Sequence, residues 1–221
     1  ALPISITGKD DFEGRTLLYL KTLALDVDLM SAFNGSPVIN QITLADGLAN
    51  VIVLENDKAN YDIVPESEAT ETAEAPAESS GSFSIKLKQF EIANLEVMYS
   101  DQQGGMMFST SKLNLNLSGD FAADQTNLKT NVSMENTKLV NGGIAYLNGV
   151  ELALGAEVDA DLANNSYTLK DNEFRINGLH LSWNGSISMP NDEDIELDLV
   201  YGAAKTEFKE ILSLVPAIYA K

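Results

Sequence analysis

Apolar and polar residues alternate over most of this chain of 221 residues. The clearest runs lie at residues 23–29, 113–117 and 150–158, where every second residue is apolar. A period of two places alternate side chains on one face of an extended strand, so each run predicts a strand with one dry face. Roughly ten or more such runs follow one another at the spacing of an antiparallel meander. The pattern therefore predicts an all-β fold with a minor helical part.

A ten-residue pattern occurs at residues 90–99 and again at 174–183, and a looser copy lies at 42–51. The two clear copies begin and end with an aromatic residue and have aliphatic residues at positions three, six and eight. Strict alternation would turn positions one and three away from the other three apolar residues. A β-bulge absorbs one extra residue and would return all five to one face. We expect these bulges at Ala93-Asn94, Asn177-Gly178 and Ala45-Asp46.

Asn177-Gly178 also fits a two-residue hairpin turn, because Asn-Gly favours the tight turns that join antiparallel strands. Ala93-Asn94 is a poor turn sequence at the same place in the pattern, and this favours the bulge for all copies. Residues 38–53 are predicted as two strands around Ala45-Asp46-Gly47. The resulting fold is a long curved antiparallel meander with bulges, shaped as a groove or an open barrel.

Composition divides the chain into four parts. Residues 65–82 consist mainly of Glu, Ala, Thr, Ser and Pro and contain no large apolar residue. Such a segment buries too little surface to offset its ordering entropy, which predicts a flexible acidic linker or long loop. An N-terminal β segment at 1–64 precedes it, and the main antiparallel sheet at 83–204 follows. Residues 205–221 are predicted as a short amphipathic helix, capped by Thr206 and ended by Pro216, that covers one end of the sheet before a truncated C-terminal end.

The net charge is −19 and the sequence pI is about 4.2. Nucleic acids and anionic lipid surfaces are bound chiefly through Lys and Arg, so this charge argues against both as direct partners. The chain contains no cysteine, which excludes disulfide and thiolate chemistry. No apolar run reaches the roughly 18 residues of a membrane span. The first residues lack an initiator Met and a signal peptide, so we expect a piece of a longer protein whose anchor lies outside it.

No catalytic motif is present, and the single histidine, His180, alternates with leucines on the solvent side of a predicted strand. Asp10-Asp11 and residues 192–194 lack the spacing of a calcium loop and are interpreted as solvated turns. Asp159 and Asp161 share a face, but 33 acidic residues make chance pairs inevitable. The sequence therefore predicts no catalytic residue, no metal site and no cofactor, and a function other than catalysis.

Several segments, in this order along the chain, resemble the AsmA family of bacterial envelope proteins. They are SPVIN at 36–40, DKANYDI at 57–63, FEIANLEVMY at 90–99, LSGDF at 117–121, GGIAYLN at 142–148, DADL at 159–162, LKDNEFRIN at 169–177, TEFK at 206–209 and LSLVPAIY at 212–219.

The resemblance implies a periplasmic protein held in the inner membrane by one N-terminal helix that is absent from this sequence. It also implies kinship with TamB-like and chorein-type proteins, whose long curved sheets form an apolar groove for lipid. Members are associated with outer-membrane assembly and with phospholipid movement between membranes. The chain is then expected to be a segment of such a groove.

An antiparallel sheet with one apolar face must bury that face against a second layer or offer it to an apolar ligand. Nine residues are predicted to line the groove, although the same residues would equally fill a closed core. They are Leu113, Leu115, Leu117, Val150, Leu152, Leu154, Ile195, Leu197 and Leu199.

The first functional hypothesis is a lipid-shielding or lipid-transporting segment that buries phospholipid acyl chains and supports outer-membrane biogenesis. The second is a structural module that binds envelope proteins through exposed strand edges. A third, carbohydrate binding, suits an acidic all-β domain but lacks a cluster of exposed aromatic residues.

Overall fold

The computed structural model of the chain describes residues 2–33, 38–63, 86–120, 123–191, 194–203, 206–216 and 219. Eleven strands form a single sheet, and a 3₁₀ turn (Asp10–Phe12) and two short helices accompany it. The helices are α1 (Leu29–Phe33) and α2 (Phe208–Ser213). The strands are β1 (Leu2–Thr7), β2 (Thr16–Asp28), β3 (Val38–Val53), β4 (Lys86–Leu87), β5 (Gln89–Asp101), β6 (Met106–Ser118), β7 (Gln125–Asn141), β8 (Ile144–Asp161), β9 (Ser166–Ile176), β10 (Leu179–Ser188) and β11 (Glu196–Gly202).

The strands follow one another in chain order across the sheet, with β1 and β11 at its two edges. The sheet does not close into a barrel, and the predicted all-β meander with a short C-terminal helix is confirmed. One junction departs from the antiparallel prediction: β3 pairs in parallel with β4 and β5. A parallel pair requires a long crossover, and residues 54–85 make this connection. The predicted linker at 65–82 lies outside the described residues.

The bulge prediction is confirmed in β5, whereas β3 has the same kind of left-handed residue but pairs one to one with both of its neighbours around Asp46. Asp46 and Asn94 lie inside these strands with φ values of 54° and 55°, the left-handed conformation that Asp and Asn tolerate best. Between the pairs Ile92–Leu115 and Leu95–Leu113, two residues of β5 oppose one of β6. Residues 38–53 form one strand, and the prediction of two strands there is wrong.

The bulge prediction is wrong for Asn177-Gly178. Ile176 and Leu179 are paired directly across β9 and β10, so the two residues between them form the hairpin turn. Asn177 has a φ of 49°. The same residue chemistry thus serves a bulge in one copy of the pattern and a turn in the other, because both need a left-handed residue.

The two copies of the pattern at 42–51 and 90–99 lie side by side. In the parallel register of β3 and β5, each paired position of one copy opposes the same position of the other, from Ile42 opposite Phe90 to Val51 opposite Tyr99. The two left-handed residues are therefore adjacent, and the Asn94 side-chain amide donates a hydrogen bond to Asp46 Oδ1 at 2.8 Å. Because both strands change phase at the same place, their pairing stays in register on both sides of it.

Gly47 explains why the copy at 42–51 lacks a leucine at position six. A Cβ added to Gly47 would overlap the Tyr19 carbonyl oxygen and lie 3.0 Å from Leu20 Cδ2. Leu20 is only 2% exposed and fills the space that a side chain at position 47 would need. The apolar contribution at this point of the sheet comes from β2 and not from β3.

Two further bulges follow the same rule. Asn136 in β7 and Asp171 in β9 have φ values of 52° and 50°. At each of them two residues of the bulged strand lie opposite one residue of its neighbour. Four strands, β3, β5, β7 and β9, thus contain an Asp or Asn in the left-handed conformation, and the bulges among them bend the sheet.

The short helices differ from their predicted role in one respect. The helical turn predicted near residues 31–35 corresponds to α1, and α2 lies where the amphipathic helix was predicted. However, no side chain of α2 is buried, and Phe208 is 71% exposed. The Thr206 hydroxyl accepts a hydrogen bond from the His180 backbone amide at 3.1 Å instead of capping the helix. It therefore ties the C-terminal segment to β10.

The left-handed conformation of Asn94 predicts opposite orders of stability at neighbouring positions. We expect Asn94→Val to unfold at lower urea concentration than Asn94→Gly, by about 1–2 kcal/mol, because glycine adopts a positive φ without steric cost. Both variants lose the same side-chain hydrogen bond, so the comparison isolates the backbone.

Glu96, an exposed residue of β5 that is not among the positive-φ residues, is the control. There Glu96→Val should be more stable than Glu96→Gly, because a β-branched residue favours an extended strand. The same order at both positions would contradict a bulge at Asn94.

Candidate functional site

The candidate functional site is one face of the sheet, which we call the apolar face. Residues directly opposite each other on neighbouring strands project from the same face. The registers connect one apolar residue from each of eight successive strands into a continuous row, which runs from β2 to β10 through β3 and β5. Its members are Leu23, Leu44, Ile92, Leu115, Val132, Leu154, Phe174 and Leu181.

All eight residues of this row are half-buried. The extensive contacts of each described strand are with its neighbours in the sheet. No described element forms a second layer against the apolar face. The side chains are therefore screened by one another and not by a covering domain.

The bulges place further residues on this face. Phe90 and Ile92 precede the bulge of β5, and Leu95 and Val97 follow it. All are paired with residues of β6, at Leu117, Leu115, Leu113 and Thr110 respectively. Without the extra residue, the second half of β5 would turn its apolar side chains to the opposite face. The bulge therefore keeps the apolar face continuous along the strand.

The nine predicted groove residues fall into two groups on the apolar face. Leu113, Leu115 and Leu117 of β6 and Leu152 and Leu154 of β8 are half-buried and are separated only by β7. Val150 of β8 is buried, with 6% of its surface exposed. Ile195, Leu197 and Leu199 lie three strands further, at the β11 edge, and are exposed; Ile195 precedes the strand. The structure brings the first six together and leaves the last three apart.

Sequence reasoning missed several residues of the apolar face. Val132 and Met134 of β7 lie between the predicted leucines of β6 and β8, opposite Leu115 and Leu113. Val132 continues an alternation with Leu128 and Thr130, but only the register shows that Val132 and Met134 lie between the two predicted groups. β2 offered a readable signal: its apolar residues repeat the spacing of the ten-residue pattern. These are Leu18, Leu20, Leu23, Leu25 and Val27.

Three of the buried side chains of the central strands directly follow a left-handed residue. Leu95 follows Asn94, Thr137 follows Asn136, and Asn172 follows Asp171. Their exposed fractions are 6%, 0% and 1%. Side chains on the inside of a bend converge and screen one another, so this burial indicates that the sheet bends toward the apolar face at the bulges.

Two of these side chains carry a buried polar atom without a hydrogen-bond partner in the described structure. They are the Thr137 hydroxyl and the Asn172 side-chain nitrogen. The other polar atom of Asn172, Oδ1, accepts a hydrogen bond from the Glu157 backbone amide at 3.0 Å and holds the bulge of β9. Thr110 donates to the Glu135 carbonyl at 2.9 Å. The paired hydroxyl of Thr110 should therefore stabilise the fold, whereas the unpaired hydroxyl of Thr137 should destabilise it.

The opposite face of the sheet is polar. A shallow cavity of about 370 Å³ lies on it, with a floor of small residues that include Ala93, Ser133, Ala153 and Gly155. Asn114 bridges two bulge-region groups: its Oδ1 accepts from the Asn94 amide at 2.9 Å, and its Nδ2 donates to Ser133 Oγ at 3.2 Å. The contrast with the apolar face makes the sheet strongly two-sided.

Ion pairs on the polar face link neighbouring strands. Lys129 lies 3.2 Å from Glu157, and Lys112 lies 2.9 Å from Glu135. A hydrogen bond from Lys170 holds the pKa of Asp159 below its usual value. These groups are solvent-exposed, so such pairs contribute little to stability individually. They balance part of the negative charge locally and keep the polar face hydrated.

The other candidate groups of the sequence are placed as follows. His180 lies on β10 with Nδ1 3.9 Å from a Glu173 carboxylate oxygen. Asp11 receives a hydrogen bond from Lys58 at 2.6 Å, and Asp161 receives one from Gln125 at 3.1 Å. Residues 192 and 193 lie outside the described residues. Within the described part of the chain, no three His, Cys, Asp or Glu side chains are grouped so as to hold a metal ion.

Comparisons with protein-family models, with curated proteins and with solved structures gave no match. Among the described helices, none is both long and apolar enough to cross a bilayer.

The unpaired hydroxyl of Thr137 predicts a stabilising substitution. Thr137→Val replaces a buried, unsatisfied hydroxyl with a methyl group of similar shape, and we expect the free energy of unfolding to rise by about 1 kcal/mol. The matched control is Thr110→Val on the neighbouring strand. It removes the hydrogen bond to Glu135 and should lower the stability by about 1 kcal/mol.

Urea unfolding followed by circular dichroism compares the two variants with the parent chain. Equal losses of stability in both would mean that the Thr137 hydroxyl has a partner.

Proposed function

We propose that this chain is a lipid-shielding segment of an AsmA-like envelope protein, and that its apolar face receives phospholipid acyl chains. The single observation that carries the proposal is the row of half-buried apolar side chains across eight strands, with no described element packed over it. The resemblance of the sequence to the AsmA family supports a location in the periplasm, an anchor in the inner membrane and a part in outer-membrane biogenesis. Catalysis forms no part of the proposal.

The dimensions of the row suit an acyl chain. Neighbouring strands are about 4.8 Å apart, so eight strands make a row of roughly 34 Å. One leaflet of a bilayer contributes about half of a hydrocarbon core of ~30 Å, so a single acyl chain is shorter than the row. Each methylene removed from water contributes ~0.8 kcal/mol. A chain lying across the strands would therefore gain affinity along its whole length.

The charge distribution suits the same role. Apart from Asp101 at the end of β5, the acidic and basic side chains of the central strands lie on the polar face, where Glu91, Glu173 and Arg175 border the small-residue cavity. No charged residue interrupts the apolar row from Leu23 to Leu181. An acyl chain on that row would meet hydrocarbon only, while the polar face would remain in water.

The only tryptophan of the chain reports directly on this face. Trp183 of β10 is half-buried and lies opposite Asn172 on one side and Tyr201 on the other. We expect phospholipid with brominated acyl chains to quench its fluorescence, because bromine quenches only at contact distance. The measurement is a titration of the chain with brominated and unbrominated phospholipid.

The control moves the probe to the polar face. In the double variant Trp183→Phe, Ser182→Trp, the tryptophan takes an exposed position on the same strand. It should be quenched by aqueous iodide but not by brominated lipid. Equal lipid quenching at both positions, or none at Trp183, would contradict the proposal.

A substitution pair tests whether the row itself holds lipid. Val132→Glu places a charge in the middle of the row, whereas Asn131→Glu places the same charge on the polar face of the same strand. We expect phospholipid to copurify with the parent and with Asn131→Glu in native mass spectrometry, but not with Val132→Glu. Circular dichroism verifies that both variants are folded.

A further inference from the structure

The two edges of the sheet are protected to different degrees. An edge strand presents unpaired backbone amides and carbonyls, and proteins protect such edges with proline, lysine, bulges or a covering element. β1 contains Pro3, and its pairing with β2 is irregular at two places. β11 has neither proline nor lysine, and its pairing with β10 is regular over all seven residues. Its only charged side chains are Glu196 and Asp198, so β11 is the less protected edge.

No described strand other than β10 pairs with β11. Its side chains are exposed on both faces: Tyr201 of the apolar face is 86% exposed, and Val200 of the polar face is 73% exposed. After β11, Thr206 exchanges hydrogen bonds with the backbone of His180 in β10, so it lies against β10 and not beyond β11. Among the described residues, none occupies the outer edge of β11, which is therefore available for backbone pairing.

The charge pattern of β11 selects its partner. A partner that continues the sheet must place apolar residues beside Leu197, Leu199 and Tyr201 and must avoid acidic residues opposite Glu196 and Asp198. A second copy of β11, antiparallel and centred on Leu199, meets both conditions. Leu197 then opposes Tyr201 of the second copy, Asp198 opposes Val200, and Glu196 opposes Gly202.

Other self-pairings that keep the apolar faces continuous are less favourable. A twofold axis at residue 198 places Asp198 opposite Asp198 of the second copy. An axis at residue 197 places Glu196 opposite Asp198 of the second copy. Like charges directly opposite each other destabilise a strand pair. A centre at residue 200 or 201 leaves part of the strand unpaired. Only the centre at Leu199 pairs all seven residues without opposing acids.

We propose that two copies of this chain associate through β11 about a twofold axis at Leu199, forming one continuous sheet with a shared apolar face. The interface is isologous, so it closes at two copies and does not propagate into a filament. A seven-residue strand pair is a small interface, which implies reversible association that depends on concentration. The inference is independent of lipid binding, since it concerns the strand edge and not the apolar face.

Sedimentation equilibrium over two orders of magnitude of concentration tests the association. The mass should rise from that of one chain, 23.9 kDa, to twice that value. The parent remaining a single chain throughout, or forming open-ended larger species, would overturn the proposal.

Two substitutions that place opposite charges at Val200 test the register. Val200→Lys places a cation opposite Asp198 of the second copy and should tighten the association by roughly fivefold, since two cross-strand pairs change per dimer. Val200→Glu opposes two acids and should weaken it by a similar factor. Thr168→Lys, at an exposed position of β9, changes the net charge equally and should have little effect. Weakening by both Val200 variants would contradict this register.

A cysteine pair locates the twofold axis, because the chain has no cysteine of its own. Residue 199 of one copy faces residue 199 of the other at a Cα distance of about 4.5–5.5 Å, which a disulfide spans. Residue 197 is about 14 Å from its counterpart, given ~3.4 Å per residue. Leu199→Cys should therefore form a disulfide-linked dimer on mild oxidation, and Leu197→Cys should not. Equal cross-linking of both variants would exclude the proposed axis.

Discussion

The structure depends on a single backbone device, an Asp or Asn in the left-handed conformation inside a long strand. At Asn94, Asn136 and Asp171 the device adds one residue relative to a neighbouring strand and shifts the phase of alternation, and Asp46 has the same conformation beside Asn94. In β5 the apolar residues on both sides of Asn94 therefore project from one face, and the sheet bends there. Without this shift, β5, β7 and β9, which are 11 to 17 residues long, would divide their apolar side chains between two faces. The continuity of the apolar face is thus a consequence of local backbone conformation.

A sheet of this width, with one apolar and one polar face, has few ways to remove its apolar face from water. A second layer would bury it, but no described element packs there, and α2 buries none of its own side chains. The row from Leu23 to Leu181 is only half-buried, whereas fully buried apolar residues such as Leu95 lie beside the bulges. A surface that binds acyl chains needs apolar side chains that screen one another from water at the bends and that stay accessible to a ligand between them. The polar face, with its ion pairs and amide side chains, keeps the sheet in water.

The sequence was informative where the cause was local. Alternation predicted the strands, and the displaced spacing at Ala93-Asn94 predicted a bulge that the register confirms. Asn177-Gly178 shows the limit of this reasoning, because a left-handed Asn serves a hairpin as well as a bulge. The parallel pairing of β3 with β5 could not be predicted, since no pattern within the strands specifies it. Val132 and Met134 were not among the predicted groove residues, because their place between the leucines of β6 and β8 follows from the register.

A scan of single cysteines along residues 90–99, each carrying a nitroxide label, tests the central claim most directly. The chain has no native cysteine, so every label reports one position. In the presence of phospholipid, labels at residues 90, 92, 95, 97 and 99 should be accessible to oxygen and protected from a charged nickel chelate, with a phase change at residues 93 and 94. An uninterrupted alternation, in which residues 95, 97 and 99 share the environment of residue 91, would contradict the account.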